Sequence, residues 1–124
     1  MQTEAKTRLD RLIALRDQGF PLAERMEQEH RLNFNLFMNK CGTEGCLLGW
    51  WTKTERGMAD GWAIPAHGTP EWRGKAGFWA ANAYFGEGAY YRLFLQKESD
   101  NQTNAECLAE RRAACDEMIA ELEA

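Results

Sequence analysis

The sequence predicts a mostly α-helical protein, and three observations support that prediction. Valine is absent and isoleucine occurs only three times, whereas strands favour such β-branched residues. Alanine, leucine, glutamate and arginine, which favour helices, are abundant. Apolar residues also recur at spacings of three and four, as on one face of a helix. We therefore expect a compact single-domain bundle of about five helices over residues 1–124, with a long ordered loop over residues 55–74.

A glycine and a proline divide the N-terminal helical pattern into two predicted helices. The first begins near Thr3, and its apolar stripe consists of Leu9, Leu12, Ile13 and Leu15. Gly19 is expected to cap this helix, and Pro21 cannot continue it. Pro21 can instead open a short second helix that ends near Glu29.

The next segment combines asparagines, large apolar residues and a dense turn. Residues 31–40 predict an irregular or extended stretch. The turn and the start of the following helix share small and thiol-bearing residues, which are Cys41, Gly42, Thr43, Cys46 and Gly49. Thr43 is expected to cap a helix over about residues 44–53, because its hydroxyl can accept an unpaired N–H of the first turn. We interpret this turn as structural, with Cys46 buried.

The predicted loop over residues 55–74 is rich in glycine and proline. Loops of this length are uncommon in compact domains and tend to be functional or disordered. Trp62 and Trp72 argue against disorder, since large rings need burial or a partner. We expect an ordered loop.

The C-terminal half predicts three further helices. An alanine-rich helix over residues 75–85 ends at Gly86, with Phe78, Trp79 and Phe85 facing the core. A short helix follows near residues 90–95. Thr103 and Glu106 form a capping box that opens the last helix. The inward side chains of that helix are expected to be Leu108, Cys115, Ile119 and Leu122, packed against the first helix.

Cys46 is the candidate nucleophile of an alternative, enzymatic interpretation. A thiol near a helix start has a lowered pKa, and His30 or His67 would have to act as its base. Unoxidised cysteines are, however, among the most buried residues of proteins. We therefore favour packing over catalysis and expect that the protein is not an enzyme.

Metal and acid–base sites are weighed in the same way. Cys41 and Cys46 are five positions apart, and Cys107 and Cys115 are eight apart, whereas structural zinc sites use closer pairs.

Several carboxylates lie near aromatic residues in the sequence, a combination that sugar-cleaving enzymes use. They are Glu27, Glu29, Glu44, Glu55, Asp60 and Glu71. Solvated acids beside an aromatic core explain them more simply. We expect no metal and no cofactor.

Charge and aromatic content favour a protein partner. The net charge of −4 argues against nucleic-acid binding. The apolar runs are too short to cross a membrane, and no signal peptide is recognisable, so we expect a cytoplasmic protein. Tryptophan and arginine are frequent in interface hot spots, and the predicted partner-binding residues are Trp51, Trp62, His67, Trp72 and Arg73. For Trp62 and Trp72 the alternative, a loop that packs onto its own core, stays equally open.

Short motifs along nearly the whole chain resemble a group of small uncharacterised phage and bacterial proteins. The central motif is Cys-Gly-Thr-x-x-Cys-x-x-Gly at residues 41–49, followed by Phe-Gly at residues 85–86 and Leu-Phe at residues 93–94. The resemblance implies a phage, mobile-element or bacterial setting and transfers no activity. In that setting we expect a binding protein that contacts a host or phage protein, for instance as an inhibitor of host defence.

Overall fold

The computed structural model describes residues 2–34, 45–65, 68–95 and 101–124, and most of these residues are helical. The helices are α1 (Gln2–Ala14), α2 (Phe20–Gln28), α3 (Leu47–Trp51), α4 (Glu55–Ala59), α5 (Gly77–Phe85) and α6 (Asn104–Glu123). Two π-helical segments, Leu15–Gly19 and Tyr90–Phe94, and a two-stranded hairpin of β1 (Glu71–Trp72) and β2 (Lys75–Ala76) complete the described chain. The mostly α fold class is confirmed. None of the described helices combines the length and the apolar character that crossing a bilayer requires.

The helical chain continues from α1 into α2 without a break, so the predicted cap at Gly19 is wrong. Gly19 has right-handed helical angles, and the N–H of Phe20 donates to the carbonyl oxygen of Leu15, five residues back, as in a π-helix. Pro21 is the second residue of α2, which directly follows the π-helical segment, and as a proline it has no N–H to donate to the preceding turn. Gly19 instead leaves space for its neighbours, since a Cβ there would lie 2.6 Å from Cδ1 of Leu15 and 3.3 Å from Cε3 of Trp51.

Helix α3 begins later than predicted. Its first residue is Leu47, and its N-cap position is Cys46, which has an extended backbone and makes no side-chain cap hydrogen bond. The predicted start near residue 44 is therefore wrong. Cys41, Gly42 and Thr43 lie outside the described residues. The burial predicted for Cys46 is confirmed, and Gly49 is buried as well.

The segment predicted as a loop over residues 55–74 contains regular structure at both ends. At its start, Thr54 caps α4 by accepting the N–H of Gly57. At its end, β1 pairs antiparallel with β2 through a turn at Arg73 and Gly74. Both turn residues have positive φ, at 50° and 79°, as a type I′ hairpin turn requires. The hairpin also moves the start of the aromatic helix from residue 75 to Gly77.

Helix α6 packs along α1, as predicted. Thr103 and Glu106 form both hydrogen bonds of the capping box, so that prediction is confirmed. Leu12, Cys115 and Ile119 are buried together, and the thiol of Cys115 donates to the carbonyl oxygen of Leu12 at 3.6 Å. The other neighbours of α6 are α2 and the second π-helical segment.

The aromatic helix α5 buries one face and leaves the other exposed. Its buried large residues are Tyr84 and Phe85, and Ala80 and Ala81 lie one turn earlier on the same face. Trp79 falls outside that face, and 69% of its surface is exposed. The prediction that Trp79 faces the core is therefore wrong. Gly86 ends α5 with φ of 120°, as expected for a glycine stop.

Candidate functional site

Three of the predicted partner-binding residues lie in the core. Trp51, Trp62 and Trp72 are each at least 95% buried. Trp62 stacks on Trp72 with ring centroids 6.3 Å apart, and its ring meets that of Tyr84 edge-on at 5.4 Å. Aromatic pairs in these geometries stabilise a core beyond the area they bury. The prediction that these tryptophans form a partner surface is therefore wrong, because all three rings pack against Tyr84 of α5.

Arg73 is the predicted partner-binding residue that stays accessible. It lies in the hairpin turn and is exposed. Its guanidinium carbon lies 4.6 Å from the ring centroid of Trp72, which is a cation–π contact. His67 lies outside the described residues. A role for Arg73 in binding stays a prediction.

Asp60, within residues 55–74, is the centre of a polar network that joins this segment to α5. Its carboxylate accepts hydrogen bonds from the hydroxyl of Tyr84 and from Nε of Arg56, and its backbone oxygen accepts from the indole N–H of Trp72. Burial alone would raise the pKa of Asp60, but the hydrogen bonds from Tyr84 and Arg56 outweigh it and lower the pKa. A carboxylate held ionised by two donors anchors the segment and is a poor general acid.

The arrangement around Cys46 does not favour nucleophilic chemistry. Burial raises the pKa of the Cys46 thiol to about 11, so the thiol is protonated near neutral pH. His30 is exposed just after the end of α2, and His67 lies outside the described residues. The described chain therefore offers a buried neutral thiol rather than an activated thiolate.

Metal-binding side chains do not cluster in the described residues. Within residues 2–34, 45–65, 68–95 and 101–124, no three His, Cys, Asp or Glu side chains are grouped so that they could hold a metal ion. Cys46, Cys107 and Cys115 are all buried, and Cys41 lies outside the described residues. The absence of a bound metal stays a prediction.

The exposed face of α5 and the second π-helical segment carry a cluster of aromatic rings. Trp79 is 69% exposed and Tyr91 is 58% exposed. The ring of Phe78 lies beside both, with centroid distances of 4.9 Å to Trp79 and 5.4 Å to Tyr91, and it also contacts Tyr90 at 5.5 Å. Exposed aromatic clusters of this kind mark binding surfaces more often than isolated apolar residues do.

This cluster borders an open groove, which we call the α5 groove. Its volume is about 610 Å³, within the range of known ligand sites. Its lining residues come from α1, β2, α5, the turn after α5 and the second π-helical segment, and they are Arg8, Lys75, Phe78, Trp79, Asn82, Ala83, Glu87, Gly88 and Tyr91. The groove therefore combines a continuous aromatic wall with a few charged and polar groups, and it is our candidate functional site.

Two polar residues of the α5 groove have defined partners. Arg8 donates to Glu4 on the same helix at 2.8 Å, in an exposed ion pair. Asn82 accepts the backbone N–H of Tyr90 with its Oδ1 at 2.9 Å, which attaches the start of the second π-helical segment to α5. Trp79 lies on α5 and Tyr91 lies on the second π-helical segment. The hydrogen bond therefore helps to hold the two rings side by side.

The sequence pattern did not reveal the α5 groove. Nearly every residue of α5 is apolar, so helical periodicity does not distinguish its buried face from its exposed face. The adjacent tyrosines at positions 90 and 91 were the available signal, since neighbours on a helix point about 100° apart. Comparisons with family models, with curated proteins and with solved structures give no match to this chain.

Proposed function

We propose that this protein works by binding another protein through the α5 groove. The observation that carries the proposal is the exposure of Trp79 and Tyr91 beside Phe78. Aromatic rings dominate interface hot spots because they offer large, stiff and amphipathic contact area. Burial of apolar rings is favourable. Because these two rings stay exposed in the monomer, their burial can contribute to the free energy of binding a partner. The resemblance to phage and bacterial proteins adds inhibition of a host defence protein as the proposed role.

A site-specific cross-link tests the proposal directly. A photoreactive phenylalanine analogue at position 91 is expected to cross-link one bacterial protein in cells, and mass spectrometry identifies that protein. The matched control carries the same analogue at Ala113, an exposed position of α6. Equal cross-linking of the same protein from both positions would show that the contact is nonspecific.

Substitutions then test whether the captured protein depends on the groove. Trp79→Ala and Tyr91→Ala are expected to weaken its binding at least tenfold, or about 1.4 kcal/mol. Met58→Ala removes another exposed apolar side chain, on α4 and outside the groove, and is expected to bind like the parent. Unchanged affinity of both groove variants, measured by calorimetry on folded protein, contradicts the proposal.

A further substitution separates binding from the thiol chemistry of the enzymatic alternative. Cys46→Ala leaves the α5 groove intact, because Cys46 is a buried residue that does not line it. The variant is expected to bind the captured protein as the parent does. Loss of biological effect in a folded Cys46→Ala variant with full binding would favour an enzyme.

A further inference from the structure

We infer that the α5 groove accepts a segment of its protein partner in which an acidic residue stands next to a large apolar residue. The inference rests on the proposed function, which it extends by naming the chemistry of the bound segment. It follows from three properties of the groove, namely its aromatic wall, its hydrogen-bond donors and its charge.

The aromatic wall selects a large apolar side chain. Phe78 contacts both Trp79 and Tyr91 nearly edge-on, with interplanar angles of 90° and 74°. Rings at such angles present both faces and edges, which suits an aliphatic or aromatic anchor from a partner. A groove of about 610 Å³ has room for a few side chains of a peptide, in keeping with the usual range of about 300–1,000 Å³ for ligand sites.

Most of the polar groups at the groove are hydrogen-bond donors. Arg8 and Lys75 can only donate through their charged groups. Asn82 accepts the N–H of Tyr90 with its Oδ1, and its NH₂ is a further donor. These donors match a segment that supplies acceptors, such as carboxylates or backbone carbonyls, whereas only Glu87 and the Tyr91 hydroxyl add clear acceptors to the lining.

The charge of the groove favours an acidic segment over a basic one. Two cations, Arg8 and Lys75, and one anion, Glu87, line it, whereas the whole chain has a net charge of −4. Arg8 is paired with Glu4, but that ion pair is exposed, and exposed ion pairs contribute little to stability. The guanidinium of Arg8 can therefore turn to a partner's carboxylate at little cost.

A second copy of this chain fits the groove less well than a short segment does. A stable interface buries about 800 Å² on each partner. The aromatic cluster is smaller than that, because its two exposed rings, Trp79 and Tyr91, are only 69% and 58% exposed and such a side chain covers about 150–250 Å². A short partner segment with one acidic residue can instead face the two cations of the groove, Arg8 and Lys75.

Selection from a random peptide display library tests the inference on the full-length protein. Clones that also bind the doubly substituted Trp79→Ala, Tyr91→Ala protein are discarded. The expected survivors carry aspartate or glutamate beside leucine, methionine, phenylalanine or tryptophan. Survivors that are basic or uncharged, or no survivors at all, would overturn the inference.

The best surviving peptide is then synthesised in its acidic form and with glutamine or lysine at the acidic position. The acidic form is expected to bind at least tenfold more tightly than the glutamine form, and the lysine form most weakly. Arg8→Gln and Lys75→Gln are each expected to weaken the acidic form at least threefold, whereas Glu87→Gln is expected to leave its binding equal or tighter. The inference fails if Glu87→Gln alone weakens binding.

These outcomes are distinct from those of the cross-linking experiment. If the captured protein depends on Trp79 and Tyr91 but acidic peptides do not bind, the proposed function stands and the inference about chemistry is wrong. If acidic peptides bind and the captured protein ignores both substitutions, the groove has the inferred chemistry and the proposed function is wrong.

Discussion

At the residue scale, burial separates tryptophans that look alike in the sequence. Trp72 is 5% exposed and donates its indole N–H to the backbone of Asp60, whereas Trp79 projects from α5 into solvent. Trp72→Ala is expected to destabilise the protein by about 3–5 kcal/mol, and Trp79→Ala by less than about 1 kcal/mol. Chemical unfolding of both variants measures the difference. Equal losses would show that the described burial of one of these rings is wrong.

The Asp60 network makes stability depend on pH. The folded-state pKa of Asp60 is lowered, so its contribution is present above the unfolded value of about 3.9 and is lost as the pH falls through the folded value. Tyr84→Phe removes one hydrogen bond to the carboxylate and is expected to cost about 1–3 kcal/mol above pH 5.

The same substitution should also move the acid transition. Without the hydroxyl of Tyr84, the folded-state pKa of Asp60 rises towards its unfolded value, so less stability is lost on acidification. Unfolding measured from pH 6 to pH 2 checks this, and Asp60→Asn is expected to show a still flatter profile. If the stability of Tyr84→Phe falls with pH in parallel with that of the parent, the Asp60 network does not contribute to acid sensitivity.

At the element scale, local signals predicted the ends of helices where a side chain or a glycine sets them. Thr103 with Glu106 and the stop at Gly86 are both present as expected, because each depends on residues next to it in the sequence. Gly19 failed as a signal because it leaves space for the side chains of Leu15 and Trp51 and does not end a helix. The hairpin of β1 and β2 was missed because its strands have two residues each, too few to show alternation.

The capping box at the start of α6 offers a quantitative test at this scale. Thr103 accepts the N–H of Glu106 at 3.0 Å, and the Glu106 side chain accepts the N–H of Thr103 at 2.9 Å. Thr103→Ala is expected to lower the free energy of unfolding by about 1 kcal/mol. Thr103→Ser keeps the accepting oxygen and serves as the matched control. If the two variants are equally stable, the cap contributes nothing measurable.

At the scale of the whole molecule, the sequence predicted what forms the core better than what lies on the surface. The helical class and the pairing of the terminal helices follow from apolar stripes that are visible in one dimension. The α5 groove depends on how α1, α5 and the second π-helical segment meet. Because α5 is apolar on nearly all sides, its sequence does not indicate which face will remain exposed. The tryptophans at positions 62 and 72 were misplaced for the same reason, because their cover comes from distant residues such as Tyr84.

The dependence of the fold on α6 is a prediction about the whole molecule. Helix α6 buries Cys107, Leu108, Cys115, Met118 and Ile119, and it covers Leu12 of α1 and part of α2. A chain that ends at Gln102 loses this cover and exposes the apolar side chains of α1 and α2 to water. The exposure costs a free energy of about 25 cal/mol for each Å² of apolar surface. Since domains are stable by only about 5–15 kcal/mol, we expect this truncated chain to lose its near-ultraviolet circular dichroism and its cooperative melting transition. Removal of only Glu123 and Ala124, which are exposed, should preserve both, and a cooperative transition in the longer truncation would show that α1 to α5 form a core without α6.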